Sequence, residues 1–214
     1  MGSESTVHDR TDYGRSELTE EHAGNDPIAL FATWLQQAQA DGLPEPNAMA
    51  LATSGSLTIS CRMVLLRAFD ERGFVFHTNY NSRKALDLER DPRAALTFFW
   101  PQHERQVRIE GRAAQISAQE SDAYFATRPR TSRIGAWSSD QSRPVEDRKA
   151  LDDRYARWTE RFGDNDVPRP LHWGGHRIQP VRIEFWQGRS DRMHDRIAFE
   201  RLSDGQWLRV RLQP

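Results

Sequence analysis

Apolar positions along this chain switch repeatedly between a period of two and the 3.6-residue period of a helix. The first periodic stretch is helical. Ile28, Phe31, Leu35 and Ala38 share a face, Asp26 stands as N-cap with Pro27 at the first position, and Gly42 ends the run. "PNAMALATSGSLTISCRMVLLRAFDERGFVFHTN" then reads as three extended runs, separated by Ser-Gly-Ser and by Asp-Glu-Arg-Gly. In the middle run Leu57, Ile59, Cys61, Met63 and Leu65 share one face, which predicts a core-facing side that includes Cys61; Arg62, Val64 and Leu66 share the other. A helix from Arg83 stops before Asp91-Pro92, and "RAALTFFW" and "RQVRIEGRAAQI" are strands. Ser117 and Glu120 form a capping box that opens a helix through Tyr124, and Pro129 biases Arg128 away from helical geometry. The glycines of "HWGGH" read as a tight turn. A charged helix spans 147–162, "PVRIEFWQG" is a strand, and a closing hairpin turns at Asp204-Gly205. Meandering strands with scattered helices predict a mainly antiparallel β-barrel with added helices, one domain over 26–214. Residues 1–25 are polar and aperiodic, a flexible segment able to order over a ligand.

Composition narrows the partners. Lys plus Arg number 30 against 31 Asp plus Glu in 214 residues, a net charge of −1. Neither nucleic acid nor an anionic membrane surface is indicated, so any anion site must be local. Cys61 is the single cysteine, which excludes an internal disulfide and fits a reducing compartment. The N-terminus lacks the apolar core of a signal peptide, and no apolar run approaches the roughly 18 residues of a membrane span. A soluble, cytoplasmic protein is expected.

Several polar positions need a reason. Arg83 and Lys84 fall in the first turn of their helix, where the macrodipole is already positive and each cation costs about 0.3–1 kcal/mol. Either an anion such as a phosphate sits there, or both side chains reach into water. Arg62 lies mid-strand among apolar neighbours and needs a partner. Arg67, near the strand end, points to the opposite face if the strand is regular; it either meets a ligand or is solvated. Tyr124 and Arg128 stand at helical spacing, with Ser132 just beyond. They could grip a phosphate monoester, or be a packed phenol beside a surface cation. After Trp186, the alternation of Arg192, His194 and Arg196 puts all three on one face if the segment is extended; a solvated edge strand is the other reading.

Other chemistries find little support. The chain has no G-x-G-x-x-G, P-loop, C-x-x-C or G-x-S-x-G motif. His172 and His176 flank glycines and suit no metal-binding helix, so no metal is expected.

Together, "RMVLLR", "GFVFHTNYNSRKALDLERDPRAALTFFW", "ERQVRIEGRA", "YFATRPRTSRIGAWSSDQS" and "VRIEFWQGRSDRMHDR" resemble the pyridoxine/pyridoxamine 5′-phosphate oxidase family over about residues 26–214. The resemblance implies a homodimeric FMN-binding split β-barrel with the flavin at the subunit interface. It also implies oxidation of a vitamin B6 phosphate to pyridoxal 5′-phosphate, with oxygen as acceptor and hydrogen peroxide released. It places flavin contacts on Arg62, Met63, Val64, Leu65, Leu66, His77, Thr78, Arg83, Lys84, Gln106, Gln141, Ser142, Trp186 and Arg196. The substrate phosphate falls to Arg67, Tyr124, Arg128 and Ser132, and the pyridine ring to Arg192 and His194, the pair expected to be catalytic. Arg10 and Tyr13 match a segment that folds over the substrate. The family usually carries Lys where this chain has Arg67, and Tyr where it has His77. Two alternatives stay open: an FMN oxidase of another substrate, such as a phenazine precursor, and a non-catalytic FMN- or pyridoxal-phosphate-binding protein.

Overall fold

The computed structural model describes residues 12–214. Among them are nine strands, six α-helices and two single 3-10 turns. β1 (Ala48–Ser54), β2 (Ile59–Leu65), β3 (Ala68–Asp70) and β4 (Gly73–Asn79) precede β5 (Arg93–Trp100), β6 (Arg105–Gln115) and β7 (Trp173–Gln187); β8 (Asp195–Arg201) and β9 (Trp207–Leu212) close the chain. The sheet order is β2-β1-β5-β6-β7-β4-β3, with β8 paired to β7 and β9. The helices are α1 (Glu20–Ala23), α2 (Pro27–Ala40), α3 (Arg83–Arg90), α4 (Ala118–Thr127), α5 (Arg130–Ser138) and α6 (Arg148–Phe162). None is long and apolar enough to cross a membrane.

Local signals act where the sequence puts them. The Asp26 carboxylate accepts from the Ile28 and Ala29 amides at the start of α2. The Ser117/Glu120 capping box closes in both directions and α4 runs on to Thr127, with Arg128 extended at the C-cap ahead of Pro129. The β8–β9 hairpin turns where Gly205 takes a φ of 88°.

The chain divides into two compact units. The first comprises, of the described residues, 12–46, 99–108 and 183–214. Its core holds Phe31, Trp34, Trp100, Phe185 and Phe199, with Trp34 edge-on to Phe185 at 5.2 Å. Within the stretch read as aperiodic, Leu18 and Ala23 are buried in this unit and α1 is a formed helical turn. The second unit comprises 47–98 and 109–182, around Met49, Leu51, Phe74, Phe76, Leu96, Phe98, Ile109 and Ile178.

Three expectations are overturned. The apolar face of β2 and the turn before it is not core: Leu57 is 94%, Ile59 80% and Met63 65% exposed, and Cys61 is exposed too. β2 is an end strand of the sheet, so alternation marked an apolar face without saying what covers it. Gly174 and Gly175 make no turn; they lie inside β7, where a Cβ would collide with the Tyr80 hydroxyl or with Ile116. Close side-chain approach, not turn geometry, requires glycine there. Lastly, 190–192 form a 3-10 turn, with Asp191 and Arg192 at φ 54° and 60°, so the premise that put Arg192, His194 and Arg196 on one strand face fails.

Candidate functional site

α3 begins at Arg83 with Ser82 as N-cap, yet the Ser82 hydroxyl makes no capping bond to the helix. Lys84 is only 9% exposed. Its Nζ donates to Thr78 Oγ1 at 3.3 Å, and among the described residues no carboxylate pairs with it. Burial, then the nearby Arg62, pushes the Lys84 pKa down. Arg83 donates to Thr58 Oγ1 at 3.0 Å. An open helix N-terminus, a buried ammonium held by one hydroxyl, and an exposed guanidinium form a donor set in excess of its acceptors. A phosphate monoester fits that deficit.

Arg62 has the partners its position demands. Its guanidinium donates to the Leu51 carbonyl at 3.1 Å, Thr53 Oγ1 at 2.7 Å and Ser60 Oγ at 2.8 Å, and Asp87 lies 3.8 Å away. Asp87 also accepts from Thr53 at 2.8 Å, tying β1 to α3. Regular strand geometry ends at Leu65, so parity does not extend to Arg67. The Arg67 guanidinium lies 5.9 Å from the Tyr124 ring centre. Val64 and Leu65 are half-buried and Leu66 is buried.

A cavity of about 290 Å³ opens beside these groups, lined by Thr78, Arg128, Ser132, Ala136, Gln141 and Trp173, among others. The Thr78 hydroxyl donates to Gln141 Oε1 at 3.1 Å. Arg128 Nη1 is buried without a hydrogen-bond partner, and its guanidinium stands 4.6 Å from the Trp173 ring centre. Burial pushes the Arg128 pKa down. A half-buried cation with a buried, idle N–H, lining the same cavity as a serine hydroxyl, is suited to an anion. A second cavity of about 280 Å³ is lined by Arg83, Arg90, Ser142 and Arg143 with Asp87; Ser142 has a φ of 71°.

The remaining candidates belong to the first unit. Tyr13 meets Trp186 edge-on at 5.6 Å and His194 at 5.9 Å, and Trp186 and His194 are 4.7 Å apart. The Arg189 amide donates to His194 Nδ1 at 3.1 Å, so the neutral ring carries its proton on Nε2. Glu184, 2% exposed, clasps Arg196 through Nε at 2.9 Å and Nη2 at 2.8 Å. Arg192 is exposed on its left-handed turn, and Gln106 is half-buried on β6. Arg10 lies outside the described residues.

Sequence reasoning missed Asp87, Trp173 and Glu184. Asp87 follows Lys84 within the same helix and could have been sought as the partner of Arg62. Trp173 and Glu184 have no local signal, since strand alternation does not say which distant cation a residue meets.

The fold is that of the FMN-binding split β-barrels, and within it the second unit carries one cavity lined by Arg128 and another lined by Arg83, Arg90 and Arg143. Residues 35–162 match the family described as pyridoxamine 5′-phosphate oxidase, and 173–214 its C-terminal dimerisation region. The chain is 54% identical to the pyridoxine/pyridoxamine 5′-phosphate oxidase of Rubrobacter xylanophilus, covering 96% of this chain and 94% of that one. Identity to the Synechocystis protein of the same name is 52%, covering 96% of each. The crystal structure of PhzG from Burkholderia lata, in complex with tetrahydrophenazine-1-carboxylic acid, superposes with a TM-score of 0.88 at 32% identity, covering 94% of this chain and 99% of that one. A pyridoxamine 5′-phosphate oxidase-related, FMN-binding protein of Nostoc punctiforme gives 0.71 at 18% identity, covering 87% and 96%, a likeness of fold. The chain belongs to the pyridoxine/pyridoxamine 5′-phosphate oxidase family.

Proposed function

We propose that this chain is an FMN-dependent oxidase that converts pyridoxamine or pyridoxine 5′-phosphate to pyridoxal 5′-phosphate. The observation that carries the reading is the cavity of about 290 Å³, whose lining brings Thr78 and Gln141 together with Arg128 and Ser132. Bound FMN supplies a two-electron acceptor that dioxygen can reoxidise with release of hydrogen peroxide. Arg83 and Lys84, with Arg62 close by, hold its phosphate, and Thr78, Gln141 and Ser142 flank it. Met63 to Leu66, Gln106, Trp186 and Arg196 complete the flavin contacts, Arg196 being oriented by Glu184.

Arg67, Tyr124, Arg128 and Ser132 grip the substrate phosphate, a non-reacting end whose binding energy orients the ring. Arg192 and His194 fix the pyridine ring, His194 using Nε2 as the donor to a ring oxygen because its Nδ1 accepts from the Arg189 amide. The active form is a homodimer with the cofactor at the subunit interface, and Arg10 and Tyr13 belong to a segment that covers the substrate.

Turnover of pyridoxamine 5′-phosphate in air, followed as aldehyde and peroxide, tests this reading against a tetrahydrophenazine carboxylate as rival substrate. Preference for the phosphate ester is expected, because the rival has no phosphate for the Arg67, Tyr124, Arg128 and Ser132 grip to hold. Arg192→Ala should lower kcat by at least about tenfold while the protein stays yellow. Wild-type turnover in that variant removes the role given to Arg192.

A further inference from the structure

We propose that the His77 side chain is a positioning residue of the substrate phosphate grip, not a flavin contact: it is the base on which both aromatic carriers of the gripping cations are set. The proposal rests on the reading of Arg67, Tyr124 and Arg128 as that grip.

Three nearly parallel rings meet here. His77 lies 4.1 Å from Tyr124, at 22° between planes, and 5.2 Å from Trp173, at 16°. Tyr124 and Trp173 are farther from each other, 6.2 Å. Each outer ring carries one cation, Arg67 over Tyr124 at 5.9 Å and Arg128 over Trp173 at 4.6 Å. His77 therefore touches both carriers. It is not itself part of the wall of the cavity that Arg128, Ser132 and Trp173 line. Any effect on a bound phosphate must pass through its neighbours.

The backbone is arranged for this packing. His77 pairs with Gly175 across the β4–β7 ladder, and a Cβ on Gly175 would stand 3.1 Å from His77 Nε2. Glycine opposite leaves the imidazole room to lie flat, and Trp173 is the next residue of β7 on the same face. Neither ring nitrogen has a hydrogen-bond partner, so packing and not hydrogen bonding holds the ring. Burial, then Arg128, Arg67 and His176, lowers the His77 pKa to about 4. The ring is neutral near pH 7 and adds no third positive charge between two guanidinium groups.

The test compares His77→Ala, His77→Leu and His77→Phe with the wild type. The readouts are pyridoxal 5′-phosphate affinity by absorbance titration, FMN affinity by flavin fluorescence, and kcat and KM for pyridoxamine 5′-phosphate. Alanine and leucine should weaken pyridoxal 5′-phosphate binding about three- to tenfold, the worth of a lost aromatic pair. KM should rise by a similar factor, with a smaller change in kcat and with FMN affinity within about twofold of wild type. Phenylalanine should restore both substrate-side values. Leucine keeps bulk without a ring face, so the comparison survives if alanine folds poorly. Weakened FMN binding with unchanged pyridoxal 5′-phosphate binding, or phenylalanine no better than leucine, overturns the proposal. A wild type inactive on pyridoxamine 5′-phosphate would sink the functional reading instead; an active wild type with indifferent His77 variants sinks only this inference.

Discussion

Lys84 is the residue whose position is hardest to justify without a ligand. A long cationic side chain in the first turn of α3 works against the macrodipole, and burial removes its hydration. A hydroxyl at 3.3 Å is weak compensation. The cost is recovered if a phosphate monoester accepts from the ammonium, a charge-assisted bond worth about 1.5–3 kcal/mol. Lys84→Met keeps the stem and deletes the charge. Its FMN dissociation constant, by fluorescence quenching, should rise roughly ten- to a hundredfold, while the FMN-free protein is as stable as wild type or more so. Unchanged FMN affinity would remove Lys84 from the cofactor site. Arg62 is the opposite case: Asp87 and two hydroxyls already satisfy it, so its charge is fixed by the protein before any ligand arrives.

Among the elements, β7 sets the most geometry. Its glycines admit the Tyr80 hydroxyl and the His77 ring, and its first residue, Trp173, carries Arg128. The β3–β4 hairpin leans on the same strand. Gly73, at a φ of 129°, approaches the Ile178 carbonyl so closely that a Cβ would collide with it. Gly73→Ala therefore combines an unfavourable backbone with a clash against main chain. It should lose about 1–3 kcal/mol of unfolding free energy by denaturant titration. A loss within error would show that the hairpin shifts freely. Caps and turns of this kind were legible in the sequence: Asp26, the Ser117/Glu120 box and Gly205 act through residues a few positions away. The β7 glycines were not, because the same two glycines serve a turn or a close approach, and only the neighbour decides.

For the whole molecule, stability and assembly follow from buried charge and uncovered apolar surface. His77 and His176 both have pKa values lowered to about 4, chiefly by burial. Below their ordinary value of 6.5 the unfolded chain binds protons that the folded chain excludes until about pH 4. Stability is then full above pH 6.5 and falls as pH drops through that window. Urea titrations from pH 7.5 to 4.5 should show this slope, and His77→Phe should make it shallower; a flat profile would contradict the burial of both rings. Leu57, Ile59 and Met63 form an exposed apolar row on and beside β2, and 173–214 match a dimerisation region. A second copy covering the β2 row would account for its exposure here. Ile59→Glu should weaken self-association at least about tenfold, read by sedimentation equilibrium. An unaltered dimer would show that β2 faces water.

The sequence by itself determined what acts over short range: the strand and helix periods, the caps, the uncompensated cations of α3, and the motifs that mark the family. Tertiary structure alone decided which apolar face is core, that Asp87 answers Arg62, that Trp173 carries Arg128, and that Arg192 sits on a left-handed turn rather than a strand. The division has a physical cause. Periodicity and capping are energies between near neighbours, whereas burial and ion pairing depend on residues that only the folded chain brings together.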